Sequence, residues 1–243
     1  MDRVIYTAMT GAKSTLGQQA AVAHNIANVD SAGFRTEMHR MRAVEVQTRA
    51  LHTRAFVVDA SVASDFTPGP LKFTGGEFDV ALHGKGWLAV QTPGGEAYTR
   101  DGALEISENG VLQTRAGLPV LGDGGPVTIP PDSEIVIGND GTISAIQAQD
   151  GIVNEVGRLK LVNPPEAGLV RGDDGFFRLQ DGQPAPADET VTVAGGYLEG
   201  SNVNAAEQMV RMISLARQFE MQMRMITNAE QNDRAAAQVL APR

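Results

Sequence analysis

Residues 203–240 contain neither glycine nor proline, although the whole chain of 243 residues has 27 Gly and 12 Pro. An uninterrupted run of this kind is predicted to form one helix about 57 Å long at ~1.5 Å per residue. Apolar side chains recur along it at three- and four-residue spacing: Met209, Met212, Ile213, Ala216, Phe219, Met223 and Ile226, then Ala237 and Leu240. The helix is therefore amphipathic, and one face needs a cover. Asn202 or Asn204 can cap its start, with Glu207 in the first turn. A helix of this length exceeds the width of a small β domain and cannot lie wholly on one.

The other end of the chain carries a second, weaker stripe. Residues 2–29 lack proline, and apolar or small residues recur there at Ile5, Ala8, Ala12, Leu16, Val22, Ala23, Ile26 and Val29. In heptad terms the N-terminal seam is Ile5, Ala12, Gln19, Ile26 with Ala8, Thr15, Val22, Val29. The C-terminal seam is Met209, Ala216, Met223 with Met212, Phe219, Ile226, and Glu230 and Asp233 interrupt it. Two such helices can cover each other as a coiled coil. Ala, Thr and Gln bury little area at roughly 25 cal/mol per Å², so an isolated pair is expected to be marginal and to fray. The small side chains do permit close approach, which favours packing among copies or relatives. The alternative is an ordinary helical hairpin on its own β domain.

Turn signals crowd the middle. Asp-Gly and Asn-Gly steps stand at 101, 109, 123, 140, 150, 174 and 181, each suited to a tight hairpin. Short β-type runs lie between them: Trp87 to Gln91, Val127 to Ile129, Glu134 to Ile137, Thr142 to Ile146, Arg158 to Val162, Phe176 to Leu179 and Val191 to Val193. The predicted fold is mainly β with long α-helical termini, a central all-β hairpin domain whose flanking helices pair as a coiled coil. Its parts are an N-terminal helix (1–32), an extended linker region (33–75), the β domain (76–196) and a C-terminal helix (197–243).

Charge follows the same division. Residues 61–200 hold eight basic and twenty acidic side chains, net −12, whereas 31–60 hold five Arg against three acids, net +2. The total of −9 disfavours nucleic acid as a partner. Near-neutral helical ends do not repel one another when many are packed together. Cysteine is absent, so disulfides, thiolate metal sites and thiol catalysis are excluded. No apolar run reaches eighteen residues, so no membrane insertion is expected. The start has too short an apolar stretch for a secretory signal; if the protein leaves the cytoplasm, another machine must recognise it.

Catalytic and cofactor signals are weak. His24, His39, His52 and His83 lack helical metal-pair spacing. Gly84-Lys85-Gly86-Trp87-Leu88-Ala89 fits a dinucleotide fingerprint, but the residues after it read as a strand where that motif needs a helix. Gly138-Asn139-Asp140-Gly141 and Gly172-Asp173-Asp174-Gly175 lack the ligand series of a Ca²⁺ loop and read as hairpin turns. Glu105 and Glu108 cannot be placed against a substrate. No catalytic residue, metal ligand or cofactor is assigned. A second hypothesis, an extracellular enzyme or glycan-binding β domain with helical oligomerisation ends, could nominate only Phe78, Trp87 and Tyr98, which core packing explains better.

One segment is distinctive. Asn25-Ile26-Ala27-Asn28-Val29-Asp30-Ser31-Ala32-Gly33-Phe34-Arg35 resembles the N-L-A-N-x-x-T-x-G-F-[KR] signature of bacterial flagellar rod and hook proteins, with Ile26 and Ser31 as mild departures. Leu198-Glu199-Gly200-Ser201-Asn202-Val203 and Arg217-Gln218-Phe219-Glu220 resemble that family's C-terminal pattern, and Tyr98-Thr99-Arg100-Asp101-Gly102 its β-domain motif. Gly86 to Gln91, Gly172 to Gly175 and Gly200 look more like the proximal rod member than the distal one.

The resemblance implies a non-catalytic structural subunit of the basal-body rod, the periplasm-spanning drive shaft, transmitting torque through packed terminal helices. Its implied partners are other rod proteins, copies of itself in a helical assembly, and the flagellar type III export apparatus, used without a cleaved signal peptide. Phe34 with Met38 resembles a short export-recognition element, and local packing of a loop aromatic explains it equally well.

Overall fold

The computed structural model describes residues 2–45, 55–131, 133–147 and 152–240. The chain divides into two compact units, one of residues 1–29, 36–65 and 203–243, the other of residues 30–35 and 66–202.

The first unit holds α1 (Asp2–Ala27), the strands β1 (Glu37–Glu45) and β2 (Ala55–Ser64), and α2 (Ala205–Leu240). Freedom from glycine and proline lets α2 run unbroken for 36 residues. Its start is set by Asn204, whose Oδ1 accepts from the Glu207 N–H at 3.2 Å, so the second of the two candidate caps is the one used. Residues 197–204 precede the helix, and Tyr197–Glu199 form a strand in the other unit.

α1 and α2 pack against each other. They run antiparallel, for Thr15 Oγ1 lies 3.3 Å from Gln222 Oε1, while Gln18, Ala21 and Val22 share a small depression with Arg211. Ala8, Ala12, Thr15 and Val22 are buried, and Ile5, Ile26 and Val29 are half-buried, whereas Leu16 and Ala23 of the expected stripe are exposed. A side chain at Gly11 would come within 2.9 Å of the Gln222 amide, so the thin α1 stripe allows close approach.

On α2 one row of the expected seam is turned by a single position. Gln208 and Leu215 are buried with Gln222 in line, whereas Met209 and Met223 are 54% and 43% exposed. The Gly11, Ala12 and Thr15 surface leaves room for a Gln amide and offers it a hydroxyl. The larger methionines therefore turn outward. Met212, Ala216, Phe219 and Ile226 are half-buried.

Region 33–75, expected as extended, loosely paired chain, contains a regular hairpin. β1 and β2 pair antiparallel from Glu37↔Ser64 to Glu45↔Ala55, with a register shift between Arg40 and Met41. His52 lies outside the described residues.

The second unit is built of antiparallel strands. In chain order they are β3 (Leu71–Phe73), β4 (Val80–His83), β5 (Trp87–Thr92), β6 (Gly95–Thr99), β7 (Leu104–Ile106), β8 (Leu112–Thr114), β9 (Leu121–Gly122) and β10 (Gly125–Pro126). After them come β11 (Ser133–Ile137), β12 (Thr142–Gln147), β13 (Val153–Arg158), β14 (Leu161–Val162), β15 (Leu169–Arg171), β16 (Phe177–Leu179), β17 (Thr192–Gly195) and β18 (Tyr197–Glu199). A five-stranded sheet has the order β14-β5-β6-β16-β15 and a three-stranded one the order β11-β12-β13; β3–β18, β4–β17, β7–β8 and β9–β10 pair separately.

Both doubtful calcium loops are turns: 138–141 joins β11 to β12 and 172–175 lies between β15 and β16, each closed by a backbone hydrogen bond of 2.9–3.0 Å. The glycine fingerprint at 84–89 leads into β5, not a helix.

Trp87 to Val90 are all buried because β5 is covered on both faces. Leu88 and Val90 join the main core with Leu112, Val120 and Ile143. Trp87 and Ala89 face a smaller cluster with Tyr98, Val162 and Phe177. A strand buried on both faces reads as a continuous apolar run, which is why the sequence marks it so clearly.

Tyr98 ties this second cluster down. Its hydroxyl accepts from the Ala185 N–H at 2.6 Å, and burial raises the phenol from 10.0 to about 12. The unfolded chain releases that proton first, so the fold loses stability as pH rises from 10.0 to about 12. Denaturant midpoints measured across this range should fall less steeply in Tyr98→Phe than in the natural chain; parallel slopes would refute the assignment.

Candidate functional site

The segments flanking the helices meet in the second unit around one buried carboxylate. Glu199, at the end of β18, has a side chain 1% exposed. Arg35 Nη1 approaches its Oε1 at 2.7 Å and Arg100 Nη1 its Oε2 at 2.8 Å, with side chains 0% and 4% exposed. The Gly69 N–H donates to Glu199 Oε1 at 2.8 Å. Arg100 also donates to the carbonyls of Leu82, at 3.4 Å, and Gly84. Burial pulls the Arg100 guanidinium below its usual range; Glu199 opposes that pull and Arg35 adds to it.

Backbone contacts fix the same register. The Gly33 N–H donates to the Glu199 carbonyl at 2.8 Å, and the Gly200 N–H to that of Pro70 at 2.8 Å. Asn202 Nδ2 donates to the Thr67 carbonyl at 2.9 Å. Gly33 has φ +65°, and a Cβ there would sit 2.2 Å from the Arg100 carbonyl carbon, so both conformation and space demand glycine. At Gly69 a Cβ would stand 2.0 Å from the Gly200 oxygen. Phe34 is buried with the Arg171 guanidinium 4.6 Å from its ring centre.

The remaining signature residues act locally in the first unit. Asn25 is buried and satisfies the Glu37 backbone in both directions: its Nδ2 donates to the Glu37 carbonyl and its Oδ1 accepts the Glu37 N–H, both at 2.9 Å. Asn28 Nδ2 donates to the His24 carbonyl at 2.9 Å, closing the end of α1. His24 Nδ1 lies 3.1 Å from Glu37 Oε2. Ala27 is exposed, Leu198 and Met38 are half-buried, and Ser201 and Val203 are buried.

This arrangement is architectural. Its carboxylate is spent on two guanidiniums and a backbone N–H, and among the described residues of the site no nucleophile stands beside a base. Among the described residues, no group of three or more His, Asp or Glu is placed to hold a metal ion. Sequence reasoning found Arg35, Arg100 and Glu199 in three separate motifs but not as partners, and it missed Gly69. The available signal was Glu199 itself, a lone charge in the stretch from Ala194 to Val203.

A second feature is the outer side of α2. Met209, Val210, Ile213, Met221, Met223 and Met225 are 43–68% exposed. Val210, Ile213, Ser214, Arg217, Gln218 and Met221 line a shallow depression on this helix.

Comparison with known proteins bears on both features. Residues 5–35 match the family described as flagella basal body rod protein, residues 81–145 the flagellar hook protein FlgE/F/G D1 domain, and residues 194–239 the flagellar basal body rod FlgEFG protein C-terminal family. The chain is 46% identical over 250 residues to the flagellar basal-body rod protein FlgF of Escherichia coli (strain K12), covering 99% of each.

The chain belongs to the FlgF family of flagellar basal-body rod proteins.

Within this family it is also 34% identical over 248 residues to FlgF of Caulobacter vibrioides, covering 99% of this chain and 98% of that one. A rod protein named FlgG, from Buchnera aphidicola, matches at 29% over 252 residues, covering 93% and 95%. The two terminal matches contain the buried salt-bridge partners, Arg35 in one and Glu199 in the other. The β-domain match contains Arg100. No described helix is long and apolar enough to cross a membrane.

Proposed function

We propose that this FlgF-family chain is a non-catalytic structural subunit of the proximal flagellar rod, carrying torque through terminal helices packed against neighbouring subunits. The supporting observation is the outward apolar row on α2, Met209 to Met225, which stays exposed although α1 lies against the helix. A row of that size is stabilised by burial at roughly 25 cal/mol per Å². In this reading α1 and α2 pair as a coiled coil, and copies of the chain and other rod proteins complete the outer faces of α2.

The same reading makes the flagellar type III export apparatus the route out and places the chain in the periplasm-spanning rod. Phe34 is buried in the folded protein, so an export receptor recognising Phe34 and Met38 would meet them before folding. The direct test is to isolate basal bodies from cells producing the chain and from cells lacking it. The chain should copurify with the rod, and cells without it should be non-motile with incomplete rods. Complete rods and normal swimming without the chain would overturn the proposal.

A further inference from the structure

The β1 strand of the β1–β2 hairpin and the β11–β12–β13 sheet each expose one face among the described residues. On the hairpin, Met41 turns towards α1, where its sulfur accepts from Ser14 Oγ at 3.3 Å and Gln18 Nε2 at 3.5 Å. Strand side chains alternate, so Arg40, Arg42 and Val44 point the other way, and all three are exposed. Neither arginine has an ion pair or side-chain hydrogen bond among the described residues.

The sheet shows the opposite charge with the same apolar admixture. Ile135, Ile137, Ile143 and Ala145 turn into the core. On the outer face the cross-strand rows are Val136–Ser144–Glu155 and Glu134–Ile146–Val153. Val136 and Val153 are 47% and 62% exposed, and Glu134 and Glu155 are exposed without an ion-pair partner among the described residues. Two carboxylates thus flank a small apolar patch, about 12 Å apart from strand spacings of ~4.8 Å and ~3.3 Å per residue. Arg40, Arg42 and Val44, all on β1, complement that pattern in charge and polarity.

We infer that the Arg40–Arg42–Val44 face of one chain docks on the Glu134–Val136–Val153–Glu155 face of a second copy. The wider charge division agrees, with net +2 on residues 31–60 and net −12 on residues 61–200. Each copy owns one of each face. The contact is therefore heterologous, and when its rotation does not close it generates a helix of subunits. Docking of two strand faces adds a contact outside the helices, at a larger radius when the helices form the inner tube, where a given force carries more torque. The inference rests on the chain being a rod subunit.

The test uses the natural absence of cysteine. Two full-length variants, Val44→Cys and Val153→Cys, are expressed together in place of the natural chain, and basal bodies are isolated and mildly oxidised. Each molecule carries a single cysteine, so a 44–153 disulfide found by mass spectrometry joins two molecules. It should exceed the 44–44 and 153–153 products. Adding R40E/R42E to the first variant should lower it at least about tenfold, since opposed like charges cost several kcal/mol and ~1.4 kcal/mol is a factor of ten. Adding E134K/E155K to the second should restore it. Basal bodies that contain the chain but give no 44–153 bond, or one indifferent to charge reversal, would overturn this inference. Absence of the chain from basal bodies would instead overturn the rod assignment.

Discussion

Glu199→Gln should destabilise the β-rich unit by about 3–5 kcal/mol, the usual cost of removing one partner from a buried pair. The substitution keeps the shape and an acceptor for the Gly69 N–H. It removes the carboxylate that balances two guanidiniums whose side chains are 0% and 4% exposed. Among the described residues, Arg35 Nε and Nη2 and Arg100 Nε already lack hydrogen-bond partners, so little among them can offset the loss. At 2–4 °C per kcal/mol for a chain of this size, the thermal midpoint should drop by about 6–20 °C. Arg35→Met should cost much less when combined with Glu199→Gln than in the natural chain, because the charge it removes is by then uncompensated. An unchanged midpoint in Glu199→Gln would mean that this triad does not hold the flanking segments together.

Ile213→Asp should leave the free chain folded and abolish its incorporation into rods. Ile213 is 56% exposed, so replacement in the isolated chain should shift stability by no more than about 0.5 kcal/mol. In an assembled helix bundle the same carboxylate would be buried against apolar neighbours at a cost of several kcal/mol. Cells relying on this variant should make the protein, show its normal circular dichroism once purified, and fail to swim. Normal swimming would show that this face of α2 stays open to solvent in the rod.

Much of the architecture was legible because long-period patterns survive without tertiary knowledge. The stretch free of glycine and proline marked α2, and crowded Asx-Gly steps marked the hairpins. Trp87 to Val90 was visible because a strand buried on both faces is apolar throughout. By contrast β13, Val-Asn-Glu-Val-Gly-Arg, has an exposed edge and no clean alternation, and nothing in the sequence marks it as a strand. The α2 seam was misplaced by one position because methionine outranks glutamine on any hydropathy reading. What decided the seam was the small surface of α1, a property of the partner helix. The pairing of Arg35 and Glu199, and the part of Arg100 in it, were hidden for a similar reason. Residues so far apart in sequence give no local period, and only the folded register brings them to one carboxylate.

The most direct test of the account compares methionine oxidation in the free chain and in isolated basal bodies. Met209, Met221, Met223 and Met225 are 43–59% exposed in the free chain and should oxidise readily there. If neighbouring subunits complete the outer face of α2, these four should be protected severalfold in basal bodies, while the half-buried Met212 changes least. Equal oxidation of all four in both preparations would contradict the claim that this helix is finished only by the molecules around it.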